Sequence, residues 1–231
     1  GRMDGGKAID VADSGISACG WRGGPVKPLS GMRVVELHRP DDPLALRLAI
    51  GFAGRVLADL GAEVLFEEAA GGDRLRHAPP LVGGVGALHA FLGAGKTACG
   101  DVAASLAAAE VAILAAAGRA RFPRLPAAHA LLSLAGEDGA IGSEFTVMAL
   151  SGVLDIVGDP GREPLRLAGH QAAYSAGLAA FTGLLAARAA GGGAVHVSLL
   201  ETMLWINWKS AIAAQQADAV PHRRGDAAEW Q

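Results

Sequence analysis

Apolar positions along the chain fall into two spacings, and the switches between them mark out the elements. Met32 to Leu37 is a short apolar run with Val34 and Val35 at its centre; it follows the turn Pro28-Leu29-Ser30-Gly31 and predicts a buried strand. From about Pro43 to Leu60 the apolar positions Leu46, Ile50, Ala53, Leu57 and Leu60 recur at helical spacing, and Gly61 stops the run. Ala62 to Phe66 is a second short apolar strand. A strand, a helix and a strand in this order predict a βαβ unit and a parallel sheet. The fullest signal is Pro164 to Glu201. After His170-Gln171 the stretch from Ala172 to Ala190 has no proline and places Leu178, Phe181, Leu184 and Leu185 at helical spacing; Gly191-Gly192-Gly193 then ends the helix ahead of β-branched Val195 and Val197.

Composition narrows the class. With 231 residues, 51% of them apolar, the chain can build one large core or two small ones, which excludes a disordered or fibrous protein. A net charge of -3 and a pI near 6.2 speak against nucleic acid or an anionic membrane as partner, and the basic pair Arg223-Arg224 is too small to alter that. Arg188 and the glycines interrupt the best candidate for a membrane span, and residues 1 to 24 carry charges and glycines where a signal peptide has its apolar core. Cys19 and Cys99 are far apart and form neither a disulfide framework nor a metal-ligand spacing, so the expectation is a cytoplasmic protein with reduced thiols and no metal. Gly1-Arg2 ahead of Met3 reads as vector-derived, and residues 1–28 as a flexible leader.

Two short motifs invite chemistry. Gly93-Ala94-Gly95-Lys96-Thr97 has the end of a phosphate-binding loop but lacks its first glycine, since that position is Ala90; Leu88 to Leu92 before it fits a helix as well as a strand. Gly71-Gly72-Asp73-Arg74-Leu75-Arg76 is a glycine turn followed by two arginines, whose guanidinium groups suit phosphate through paired, charge-assisted hydrogen bonds; solvated arginines after a turn are the plainer alternative. Arg55, within the first helix, reads as structural.

Three blocks in order resemble one family. PLSGMRVVEL with GFAGRVLADLGAEVLFEEAAGGDRLR, then MALSGVLDIVGDPGREP, then the Pro164 to Glu201 segment are similar to class III CoA-transferases, the family of formyl-CoA transferase, carnitine CoA-transferase and α-methylacyl-CoA racemase. The resemblance covers roughly residues 28–205. It implies an α/β fold, a Rossmann-like parallel sheet with flanking helices, over a large-domain part at residues 29–205, with residues 206–231 as a linker-like tail. It also implies coenzyme A or an acyl-CoA as substrate, with Lys96, Arg74 and Arg76 as candidate contacts to its phosphates. The segment after Lys96 looks trimmed, with Thr97 to Asp101 leading straight into an alanine-rich run at 102–117, within which Ala109 to Ala116 resembles the family's next strand.

The family's catalytic aspartate lies four residues before the helix glycine, and counting back from Gly177 that position is Ala173. In the racemase branch a histidine about thirty residues upstream works with that aspartate, and here its place falls near Ser143. Covalent or acid/base chemistry through these groups is therefore absent. The remaining candidates are His170 and Gln171, which can donate to a thioester carbonyl or cap the helix, together with Glu144 and Glu201 as carboxylates. Tyr174 reads as packing, and Trp205, Trp208 and Trp230 as core or interface residues. Family members continue past the counterpart of Gln231 into a second, smaller domain and form interlocked dimers. The expectations are therefore a homodimer, or a heteromer with a complementary chain, and two readings: an enzyme with altered chemistry on an acyl-CoA thioester, or a non-catalytic subunit that pairs with a longer relative.

Overall fold

A computed structural model describes residues 27–68, 72–135, 142–217, 222–223 and 225. The strands are β1 (Arg33–Leu37), β2 (Glu63–Glu67), β3 (Leu81–Val82), β4 (Val85–Gly86), β5 (Lys96–Cys99), β6 (Val111–Ala115), β7 (Ala128–Ser133) and β8 (Gly193–Ser198). The helices are α1 (Leu44–Asp59), α2 (Ala87–Gly93), α3 (Val102–Ala108), α4 (Glu144–Leu150), α5 (Gln171–Ala189), α6 (Leu199–Ile206) and α7 (Trp208–Ala217), with 3-10 turns at Arg74–His77, Ala116–Arg121 and Val153–Ile156. Short polar caps start several helices: Asp101 accepts from the Ala104 amide, Ser143 from Thr146 and Ser198 from Glu201.

Six strands form one sheet in the order β5-β2-β1-β6-β7-β8, and every neighbouring pair is parallel. β6 is wholly apolar and buried, and beside it at the centre β1 is buried at every position but Arg33, as a sheet covered on both faces requires. β3 and β4 form a separate small hairpin.

One face carries the main core. There α1 and α5 cross, with Leu48, Ile50, Leu57, Ala173, Ala176, Ala180 and Leu184 all withdrawn from solvent. The approach is close because α5 presents small residues. A Cβ on Gly177 would stand 2.7 Å from the Ala49 carbonyl oxygen and 3.3 Å from the Phe52 side chain, so any side chain there forces the helices apart. The other face is thinner. Val35, Leu37, Ala112 and Leu114 are covered by the seven-residue α3 and by the segment after β6 that carries Phe122 and Leu125. Between α3 and residues 121–126 lies an open cleft of about 720 Å³.

The first strand, helix and strand and the long helix with its glycine stop form where the periodicity places them. Leu88 to Leu92, left open between helix and strand by the sequence, is helical, so the Gly93 to Thr97 motif joins a helix to a strand, the reverse of the strand-to-helix order of a phosphate loop. Two expectations need correction. The segment after Lys96 is not stripped of its strand: Lys96–Cys99 is that strand, added at the sheet edge beside β2. The stretch from 206 is not all linker-like, because Trp208–Ala217 is helical. Of the two alternatives for Trp205 and Trp208, core or interface, the first does not hold within this chain, where they are 75% and 46% exposed. Most of the leader (1–26), Cys19, Gly71, Arg224 and Trp230 lie outside the described residues. Cys99 is a free thiol, and among the described residues no helix is long and apolar enough to cross a membrane.

Candidate functional site

In a parallel sheet the loops that leave the strands gather at the carboxyl edge, together with the first turns of the returning helices; ligands of such folds bind there. This edge holds the ends of β1 and β2, the turn Arg74–His77, and the start of α5.

Beneath α1 is a buried ionic cluster. Glu36, 1% exposed, points from β1 toward α1 and is accommodated by Gly54, where a Cβ would fall 1.5 Å from Oε1. The Lys96 ammonium stands 2.5 Å from that oxygen and donates to the Gly51 carbonyl at 2.7 Å. His38 Nε2 lies 3.3 Å from Glu36 Oε2. Alongside, Arg47 is ion-paired with Asp73, and His89 Nδ1 lies 3.8 Å from the same carboxylate. Burial, and then the positive charge of Arg76, push His89 below its usual range. These groups line a cavity of about 30 Å³. His38 Nδ1 and Arg47 Nε are buried without a hydrogen bond among the described residues, and a cavity of this size has room for a water beside them.

The three phosphate-contact candidates therefore differ. Lys96 is buried against Glu36, so an anion reaches it only by displacing that carboxylate. Arg76 is held by Glu68, with Nη2 to Oε2 at 2.9 Å and a second contact through Nε, and the guanidinium holds the Glu68 carboxyl down at about 2. Arg74 is exposed and makes one long bond, 3.4 Å, to the Asp42 carbonyl. It borders a shallow hollow of about 360 Å³ with Asp41, Asp42, Pro43 and Leu44. Asp42 is raised, chiefly by burial.

At the start of α5 the structure joins two of the catalytic candidates. Glu144, the first residue of α4 and 7% exposed, places Oε2 2.8 Å from His170 Nδ1, while its Oε1 accepts from the Ala173 amide at 3.2 Å. The cap of α5 is thus supplied by a carboxylate from another helix. His170 occupies the cap position, but its side chain does not cap. Gln171 is exposed and donates to the Ala168 carbonyl at 3.1 Å. Ala173 is fully buried. The Tyr174 ring packs on Phe52 at 4.8 Å, and burial, then the Glu144 charge, raise its hydroxyl above its usual range. Glu201 is exposed on α6, and its carboxylate makes no hydrogen bond or ion pair among the described residues.

Sequence reasoning did not single out Glu36, His38, Arg47 or His89. A glutamate inside the apolar strand Val34-Val35-Glu36-Leu37 was the available signal, because a charge is rarely buried unless it is paired.

The family model described as CoA-transferase family III matches residues 29–100. No curated protein matches the chain in sequence. Among solved structures, a CAIB/BAIF family protein from Brucella suis is 26% identical with a TM-score of 0.73, over 87% of this chain and 61% of that one. A hypothetical protein from Mycobacterium tuberculosis, 23% identical with a TM-score of 0.64, shares the fold over 85% of this chain and 61% of its own. The chain therefore spans about three fifths of the length of these structures. The family model thus falls on the opening βαβ block, and along most of its length the chain is similar in fold to a CAIB/BAIF family protein.

Proposed function

We propose that the chain binds an acyl-CoA thioester at the carboxyl edge of its sheet and does not carry out the aspartate-dependent CoA transfer typical of its family. One observation supports this reading: Ala173, the position that the resemblance gives to the family's catalytic aspartate, is fully buried, with its amide bonded to Glu144. A methyl group there forms no acyl anhydride. Titration calorimetry with CoA and acetyl-CoA, run beside an assay for CoA exchange between acetyl-CoA or succinyl-CoA and carboxylates, tests it. Binding without exchange is expected; robust exchange by the wild-type chain overturns it.

A second reading, a non-catalytic subunit that pairs with another CoA-transferase-like chain or with its own copy, is favoured by a different observation. Trp205, Ile206, Trp208 and Ile212 of α6 and α7 are 75%, 50%, 46% and 48% exposed, a run of large apolar groups of the kind that marks an interaction surface. Native mass spectrometry separates the readings, since a strictly monomeric chain in the presence of its co-expressed neighbours removes the second.

A further inference from the structure

The pair formed by Glu144 and His170 has the geometry of an oriented base. Nδ1 of His170 faces the Glu144 carboxylate at 2.8 Å, and that carboxylate, 8% exposed on its side chain, is fixed at its other oxygen by the Ala173 amide. A buried carboxylate on one ring nitrogen favours the tautomer with its proton on Nδ1 and leaves Nε2 able to accept one. Nε2 makes no hydrogen bond among the described residues, and the His170 side chain is 24% exposed.

An aromatic row leads up to this base. Phe91 of α2 stacks on Phe52 of α1 at 6.3 Å, Phe52 on Tyr174 at 4.8 Å, and Tyr174 meets the His170 ring edge-on at 6.4 Å. The row is partly open, with Phe91 44% exposed, and the Arg55 guanidinium lies over Phe91 at 5.2 Å. Gly177 permits it, since a side chain there would collide with Phe52. A slender apolar ligand chain laid on this row runs from the Arg55 guanidinium, paired with Asp59, to an imidazole nitrogen without a hydrogen bond among the described residues.

We infer that His170, held by Glu144, is a general base that activates water against an acyl thioester whose apolar chain lies along Phe91, Phe52 and Tyr174, which makes the site a thioester hydrolase. The inference rests on the acyl-CoA reading above. The water oxygen bonds to the thioester carbonyl carbon as its proton passes to Nε2, and the carbonyl π pair moves onto oxygen. Collapse of the tetrahedral species re-forms the carbonyl and breaks the carbon–sulfur bond, and the departing thiolate takes the proton from Nε2. The products are a carboxylic acid and free CoA thiol, with no other reactant than water. The amide of Gln171, the exposed first residue of α5 and without a hydrogen-bond acceptor among the described residues, is the donor of that turn left for the carbonyl oxygen. His170 is the catalytic residue and Glu144 a positioning residue.

The test is release of free thiol from acetyl-CoA and longer acyl-CoA thioesters by the whole chain. His170→Ala is expected to lose roughly 100-fold or more in kcat, the scale of general base catalysis, and to regain part of it with added imidazole. Glu144→Gln is expected to lower kcat with KM nearly unchanged, and Phe52→Leu to raise KM for the longer acyl chains. A purely structural contact predicts neither imidazole rescue nor the split between kcat and KM. Thiol release that survives in His170→Ala overturns the proposal, as does deuterium exchange at the α-carbon without thiol release. CoA binding by calorimetry without thiol release removes this proposal alone; absence of CoA binding removes the acyl-CoA reading with it.

Discussion

Lys96 and Glu36 meet 2.5 Å apart beneath α1, each side chain 2% exposed. An ion pair this deep is costly to break from one side, because the survivor stays buried and unpaired. Lys96→Met is expected to lower stability by about 3–5 kcal/mol in urea unfolding, and adding Glu36→Gln to recover part of that loss. A fall in CoA affinity on replacing Lys96 therefore reports on the fold before it reports on a phosphate contact.

The two arginines of the Arg74–His77 turn are expected to separate. Arg74 has an open guanidinium, so Arg74→Ala should weaken CoA binding about 10-fold or more, the value of a charge-assisted hydrogen bond, with little change in melting temperature. Arg76 is engaged by Glu68, and Arg76→Ala should change stability more than affinity. Calorimetry and thermal unfolding on both variants read this directly.

Acid titration offers a separate check on the same turn. Glu68 is lowered from 4.5 to about 2 by its hydrogen bond to Arg76. A carboxyl depressed on folding contributes stability that is present above its unfolded value and is lost as pH falls toward its folded value. Between about pH 4.5 and 2 the wild type should lose this contribution, and Arg76→Met should flatten that part of the stability profile. An unchanged profile would show that the pair carries no linkage.

Ala173→Asp installs the carboxylate that the proposed reading lacks, and it should not give CoA transfer. The new carboxylate would stand in a fully buried position next to Glu144, whose Oε1 already accepts from the same residue's amide. Two buried acids side by side repel or force one to hold a proton. The expectation is a loss of about 2 kcal/mol or more in denaturant unfolding and no CoA exchange.

Gly177→Ala runs against helix propensity. Alanine in a helix interior normally gains about 1 kcal/mol over glycine. Here the added methyl meets the Ala49 carbonyl oxygen at 2.7 Å, so α1 and α5 must separate. A net destabilisation of about 1–3 kcal/mol is expected in urea unfolding.

What could be read beforehand follows from where the signal resides. β1, α1, β2 and α5 show in the sequence because burying one face imposes a period, and glycines end the runs at Gly61 and at Gly191 to Gly193. β5 does not show. It is Lys-Thr-Ala-Cys, half exposed at the sheet edge, and only pairing with β2 makes it a strand. The seven-residue α2 is too short for its period to separate helix from strand. At the site, Glu144 and His170 were both nameable as polar residues near a helix start. Their contact joins positions 26 apart in sequence, and that depends on how α4 packs near α5. The partnership of Glu36 with Lys96 was hidden for the same reason. For Trp205 and Trp208 the choice between core and interface was not legible, because aromatic character does not reveal whether the covering surface belongs to the same chain.

The contact of Gly177 with Ala49 also sets a timetable. These residues are 128 positions apart, yet α1 and α5 together form the ceiling of the main core. Until α5 has been synthesised and docked, Leu48, Ile50 and Leu57 on α1 lack part of their cover, and the sheet still awaits β8. Early segments of the nascent chain therefore wait for a late one, and contacts of such long sequence separation slow the search. The small-residue stripe that lets two helices touch thus ties an early part of the chain to a late one.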